Sequence, residues 1–320
     1  MSETKGLENL SPAGIQKNFW LEHEARLTGM NDLTDLLWQV DSNGSIEEYL
    51  MSGGVDGMRE FVGGQQLKEL NAYDFTLKNK HVEGGLPIKP EDVRRDKTGQ
   101  IMSRVAEFAT VCADHPVELL GAVLNAAGST KSLDGKNFYS TTHEQGDSGV
   151  WSNDVAAAQI AELNVADAEN PTALELAKII GKGIQWQLKY TNDRGRKMNG
   201  TARRFILVVP VNMVDAADQA TRSLTLETGT GVVNNPRAGS MFSVKVVPNL
   251  DLTSTTQIHL FRVDGRLKPF IYQTEVPLKV DVDWEGSAWH KIHRQYRVSA
   301  EAWYNVGNGV PQYATRLTTS

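Results

Sequence analysis

Over the first forty residues, apolar side chains recur at three- and four-residue steps: Ile15, Phe19, Ala25 and Leu27, then Leu33, Leu36, Leu37 and Val40. This period predicts amphipathic helix. Such a helix has no core of its own, so its apolar stripe must lie either on the rest of its own chain or on a neighbouring molecule. Between Gly53 and Gly85 the period falls to two. Tyr73, Phe75 and Leu77 alternate with Asp74, Thr76 and Lys78, in a stretch punctuated by glycine pairs at 53, 63 and 84, which predicts a two-stranded hairpin. A lone ribbon is marginal in water, so its apolar face also needs a partner, on its own subunit or on another.

Helical spacing returns after Pro90. Glu91 and Asp92 put negative charge where a helix N-terminus favours it, and Ile101, Val105, Phe108, Ala109 and Cys112 share one face. Pro116 either kinks this helix or begins a second one, with Asp114 or His115 as cap. Leu119, Leu120, Val123 and Leu124 then carry the apolar face as far as Gly128. A polar, turn-rich stretch follows. The next helix is expected from Pro171 to about Tyr190, with Asn170 as cap, Pro171 at the first position, and Leu174, Ala177, Gly181, Ile184 and Leu188 on one side. RFILVVP, ending at Pro210, is an unbroken apolar run and predicts a strand covered on both faces. A short helix over 215–221 and a strand-rich remainder from Phe242 onward, dense in Val, Ile, Thr, Tyr and Trp, complete an α+β pattern.

A chain of 320 residues with 40% hydrophobic composition can bury a sizeable core. Its 33 basic and 39 acidic side chains leave a net charge of -6, with no run of five like charges; a protein built to grip nucleic acid clusters its Lys and Arg instead. The single cysteine, Cys112, excludes an intramolecular disulfide and fits a reducing compartment. No apolar run approaches the ~20 residues of a membrane helix. The start, MSETKGLENL, lacks the basic and apolar regions of a signal peptide, so synthesis in a cytoplasm is expected.

Four stretches invite a chemical reading. Gly146-Asp147-Ser148-Gly149 copies the nucleophile segment of chymotrypsin-like proteases, but a serine nucleophile needs a histidine base and a buried aspartate. A glycine-bracketed turn is the default there, and a hydrolase using Ser148 with His143 or another histidine is the alternative. Glu227-Thr-Gly-Thr-Gly-Val-Val lacks the lysine of a phosphate loop and reads as a surface loop. His290 and His293 stand three apart, yet their surroundings alternate like a strand, which sends them to opposite faces with nothing to complete a metal site. Lys189, Arg194, Arg196, Lys197, Arg203 and Arg204 form the densest basic cluster. Without interleaved aromatics it reads as a solvated face that pairs with acidic residues of a neighbouring subunit. No catalytic, cofactor or metal residue is therefore expected.

The block LDGKNFYSTTHEQGD, Leu133 to Asp147, resembles a signature of the major head proteins of Mu-like tailed phages, through Asp134, Gly135, Lys136, Phe138, Tyr139, Ser140 and His143. Further blocks agree in order: Met58 to Gln100, Arg194 to Ala220, the segment NNPRAG at Asn234 to Gly239, and RLKPFIYQTEVPLKV at Arg266 to Val280. The resemblance implies the HK97-type capsid fold: an N-terminal arm (1–52), an extended β-hairpin loop (53–89), a long spine helix opening a peripheral domain (90–150), an axial domain (151–255), and C-terminal strands of the peripheral domain (256–320). It implies self-assembly through pentameric and hexameric capsomers into an icosahedral head around double-stranded DNA. The implied partners are further copies of the chain, a scaffold and portal, decoration proteins and packaged DNA bound without sequence specificity, with no membrane. The virion capsid, assembled in the host bacterial cytoplasm, is the implied location. An encapsulin-like compartment is the alternative on the same fold. Trp20 and Trp38 in the arm, Tyr73, Phe75 and Leu77 in the loop, and Arg194, Arg196 and Lys197 in the basic cluster are the expected inter-subunit contacts.

Overall fold

A computed structural model of the chain describes residues 10–29, 31–52, 72–96, 99–132, 134–228 and 231–320. Its α-helices of six residues or more are α1 (Pro12–Gly29), α2 (Pro90–Arg95), α3 (Gln100–Ala126), α4 (Ala173–Gln187), α5 (Val214–Arg222) and α6 (Ala288–His293). Two main sheets organise the strands. The first runs β1-β11-β12-β4, from β1 (Leu37–Asp41), β11 (Phe270–Asp283), β12 (Tyr296–Asn308) and β4 (Lys80–Ile88). The second runs β5-β13-β10-β6-β9, from β5 (Asp154–Val155), β13 (Ala314–Thr318), β10 (Gln257–Arg262), β6 (Arg204–Val209) and β9 (Ser243–Pro248). Two ribbons stand apart from these: β2 (Ile46–Ser52) with β3 (Ala72–Lys78), and β7 (Thr225–Thr228) with β8 (Gly231–Asn234).

The long helix α3 ties the sheets together. It runs without interruption through Pro116, so of the two readings of that proline the continuous helix holds; proline removes one backbone donor but leaves the flanking turns to packing. Its start is marked by Gly99 in the left-handed region at φ 73, and the Asp96 carboxylate accepts the free N–H groups of Gln100 and Ile101 at 3.1 and 3.0 Å, a side-chain answer to unpaired first-turn donors. Ile101, Val105 and Ala109 pack with Ile15 and Phe19 of α1 and with Ile88, Val280, Val298 and Ala300 of the first sheet. About three turns later Leu120 and Leu124 enter a separate cluster with Leu36, Leu37, Phe138, Phe261 and Phe270, where the two sheets meet.

Strand β6 shows why its sequence is apolar at every position after Arg204. Phe205, Leu207 and Val209 face α4 and α5, whereas Ile206 and Val208 face the end of α3. Both sides are covered, so the alternation of a half-exposed strand is lost. Helix α4 presses close to the same sheet because residue 183 is glycine: a Cβ there would lie 2.7 Å from Leu317.

Several expectations are corrected here. The helical spacing of Leu33, Leu36, Leu37 and Val40 does not give a helix beyond Thr34: Leu37–Asp41 is strand β1, held by its parallel pairing with β11. Helix α4 begins at Ala173, capped by Thr172 rather than Asn170: the Thr172 hydroxyl accepts the Glu175 N–H while the Glu175 carboxylate accepts the Thr172 N–H. The expected cut at residue 256 does not follow the sheets, since β10 and β13 pair in the second sheet while β11 and β12 build the first. The hairpin begins at Ile46, inside the span expected for the arm, and β4 leaves it to pair with β12. The stretch around His290 opens with helix α6 before the strand at Tyr296.

Candidate assembly surfaces

Helix α1 lies on its own domain. Ile15 and Phe19 are fully buried, the Phe19 and Phe108 rings meet edge to face at 5.7 Å, and Arg26 forms a two-point ion pair with Asp114 of α3 at 2.6 and 3.0 Å. Of the two surfaces open to the amphipathic stripe, its own chain takes it. Trp20 points elsewhere, 37% exposed beside the more exposed Leu21, and remains available to a neighbour. Trp38 does not: it sits on β1, which pairs in parallel with β11, and packs within its own subunit against the cluster of Tyr49, Leu77 and Ile271.

The β2–β3 ribbon is fastened to the first sheet by a buried polar root. The Tyr49 hydroxyl donates to Gln273 Oε1 at 2.7 Å; the Gln273 amide donates to Asn79 Oδ1 at 2.8 Å; the Asn79 amide donates to Ser42 Oγ and the Gly44 carbonyl at 3.1 and 2.8 Å. Burial pushes the Tyr49 phenol up to about 12, so it stays a neutral donor. Leu77 is buried in its own subunit, against a bare backbone at Gly307, where a Cβ would stand 2.8 Å from its Cδ1. This corrects its expected role as an inter-subunit contact: the strand period was read properly, but the face carrying Leu77 already has a cover. The backbones of Tyr73 and Phe75 pair with Met51 and Tyr49; their side chains, like residues 53–71, lie outside the described residues.

The DGKNFYSTTHEQGDS block is a brace between the two sheets. Its Phe138 is fully buried, and the Tyr139 hydroxyl lies 2.9 Å from His259 Nδ1 on β10. Burial, reinforced by the Arg316 charge, drives His259 down to about 3, so the ring is neutral. His143 is buried and spends both ring nitrogens on structure: Nδ1 is bonded to the Asp134 carboxylate and Nε2 lies 2.9 Å from Asn153 Oδ1, while its ring stacks on Trp151 at 4.4 Å. Asn153 in turn donates to the Phe138 and Pro311 carbonyls. Ser148 lies in the expected glycine-bracketed turn. Its hydroxyl donates to the Gly149 carbonyl and accepts the Gln145 N–H, at 2.8 and 2.9 Å, and His143 has no ring nitrogen left to serve it as a base.

The basic cluster is divided among local tasks. Lys197 Nζ donates to the Lys189 carbonyl at 2.6 Å, Arg204 pairs with Asp35 at 3.1 Å, and the Arg203 guanidinium lies 5.9 Å from the Phe242 ring. Arg194 is mostly covered, 3.9 Å from the Asp193 carboxylate. Arg196 is exposed and is the member of the expected trio best placed to meet another molecule. The segment after Glu227, expected as a loop, is the ribbon β7–β8, closed by the Thr228 hydroxyl donating to the Gly231 carbonyl; Gly229 and Thr230 lie outside the described residues. His290 and His293 share helix α6 rather than opposite faces of a strand, and they stack on different rings, Tyr296 and Trp289. Among the described residues, no three His, Cys, Asp or Glu side chains gather as a metal site, and no helix is long and apolar enough to cross a membrane.

The profile of the family described as Mu-like prophage major head subunit gpT matches residues 15–171. The matched span takes in α1, the β2–β3 ribbon, the long helix α3 and the Asp134–His143 brace. The Mu-like prophage FluMu major head subunit of Haemophilus influenzae is 23% identical over 149 residues. That match covers 47% of this chain and 47% of the relative, so the chain spans about half the length of the curated relative it matches. Among solved structures, the procapsid of bacteriophage JBD30 is similar over 97% of this chain and 77% of that one, at 17% identity and a TM-score of 0.54. The mature capsid of bacteriophage PhiM1 is similar over 90% and 86%, at 13% identity and a TM-score of 0.55. Helix, two sheets and ribbon thus share the HK97-type capsid fold of these phage shells.

Proposed function

We propose that this chain is the major capsid protein of a tailed-phage head, whose activity is assembly of identical copies into a closed shell. One observation carries the reading: a Mu-like major head subunit profile over 15–171 lies within a fold that resembles a procapsid subunit along nearly the whole chain. In this reading α3 is the spine helix and, with the β1-β11-β12-β4 sheet, the peripheral domain. The five-stranded sheet with α4 and α5 is the axial domain, and the β2–β3 ribbon is the base of the extended loop. Pentameric and hexameric capsomers of these copies close around double-stranded DNA, held without sequence readout. A scaffold and portal act during assembly in the bacterial cytoplasm.

A polar root such as Tyr49-Gln273-Asn79 suits this task, because it holds the ribbon at a set angle before any neighbour arrives and leaves little ordering to do on contact. Negative-stain electron microscopy of the purified protein, with its sedimentation profile, tests the proposal. Closed particles or capsomer-sized rings are expected. A uniform monomer that stays monomeric with the scaffold co-expressed would overturn it. Particles that enclose a protein cargo in place of DNA would instead favour an encapsulin-like compartment.

A further inference from the structure

Arg237 is the least conventional charge in the molecule. It is 9% exposed, and burial lowers its affinity for its own proton, with no carboxylate among the described residues to offset the loss. Among the described residues its guanidinium makes one hydrogen bond, from Nη2 to the Phe242 carbonyl at 3.3 Å. Buried and with a single guanidinium hydrogen bond among the described residues, the group has donor capacity left for an acceptor.

The turn that carries it is rigid. Asn235 donates to the Ala220 and Ser223 carbonyls at 2.9 and 2.7 Å, fastening the turn to the end of α5, and its Oδ1 accepts the Arg237 N–H at 2.8 Å. Ser240 N–H closes on the Arg237 carbonyl, with Gly239 in the left-handed region at φ 71. An arginine fork held this way loses little freedom when a carboxylate binds it in two-point fashion. Met241, 67% exposed, stands in the same turn.

On the β7–β8 ribbon the complementary chemistry is on show. Glu227 is directly opposite Val232, so the two side chains share one face. Glu227 is exposed with no ion-pair partner among the described residues, and Val232 is 64% exposed. One patch therefore offers a carboxylate beside an aliphatic group, and the other offers a guanidinium beside a thioether. They are different patches of one chain, which is the arrangement that joins copies head to tail and closes into rings.

We propose that Arg237 receives the Glu227 carboxylate of a neighbouring copy, with that copy's Val232 against Met241. This rests on the shell reading above and names a residue pair for one of its contacts. Neutralising a buried guanidinium is worth more than an ordinary surface ion pair, because its desolvation has already been met on folding.

The test uses the full chain. Glu227→Lys should cut the yield of capsomers and particles at least tenfold while leaving the melting temperature of the free subunit unchanged. Glu227→Arg combined with Arg237→Glu should restore much of that yield. In a Cys112→Ser background, Val232→Cys with Met241→Cys should give a ladder of disulfide-linked multimers when assembled material is oxidised. Wild-type yield from Glu227→Lys, or assembled particles without a ladder, would overturn the contact while leaving the capsid reading intact. Failure of the unaltered chain to assemble under any condition would overturn both.

Discussion

Leu77 shows how a correctly read period can still mislead about partners. Alternation in Tyr73, Phe75 and Leu77 says that one face is apolar, but it does not say which molecule covers it. The cover for Leu77 is internal, beside Gly307 and Ile271. Leu77→Ala is therefore expected to destabilise the unassembled subunit by about 2 to 5 kcal/mol, measured by urea unfolding of the monomer; no change there, with loss only of assembly, would restore the inter-subunit role. His259 makes a prediction in pH. Its folded pKa, about 3, lies below its ordinary value of 6.5, so the unfolded chain takes up a proton first as pH falls. Its contribution to stability is complete above about pH 6.5 and declines below it, by up to about 1.4 kcal/mol per pH unit. His259→Asn should flatten that part of the stability curve between pH 6.5 and 4, and an unchanged slope would mean the acid sensitivity arises elsewhere. Nothing in the sequence around His259 distinguishes it, because its burial depends on Tyr139 and Arg316 from distant segments.

Elements with long periods were legible and their ends were not. The apolar face of α3 from Ile101 to Leu124 follows directly from residue spacing, and β6 declares itself through an unbroken apolar run. The start of α4 was misplaced although the signal was present: Thr172-Ala-Leu-Glu175 is a capping box, and the attention drawn by Asn170-Pro171 concealed it. Thr172→Ala should lower stability by about 1 kcal/mol, read from thermal or urea unfolding, and a neutral outcome would mean that Asn170 or solvent serves the first turn instead. Helix α6 was missed for a different reason. Six residues are too few for a helical period to separate from alternation, and the Ser287 hydroxyl that accepts the His290 N–H at 3.1 Å was the available cue.

For the whole molecule, the order of strands in space departs from their order along the chain. The C-terminal half contributes alternately to the two sheets, β10 and β13 to one, β11 and β12 to the other, so a boundary drawn at one residue number divides neither correctly. The features on which the proposed contacts between copies rest are consequently local: exposed Trp20, Arg196 and Glu227, and the turn that carries Arg237. The ribbon from Ile46 to Lys78 is held at its root, and its distal strand should contribute to assembly rather than to folding. Phe75→Asp is expected to leave a soluble, folded subunit that fails to form stable shells, scored by particle yield on a sucrose gradient beside the circular dichroism of the subunit. Normal particle yield would remove Phe75 from the assembly contacts.

By itself the sequence determined the α+β class, the long helix, the buried strand at RFILVVP, and the resemblance carried by the Asp134–His143 block, because each of these is written in local periodicity or in a contiguous run of residues. Tertiary structure alone decided that α1 and Leu77 are covered from within, that His143 is a brace with no free nitrogen, and that Arg237 is buried without an ion-pair partner among the described residues. Those outcomes depend on which distant segments meet. Burial is a property of the packed whole, and a linear pattern can state that a face must be covered without naming what covers it.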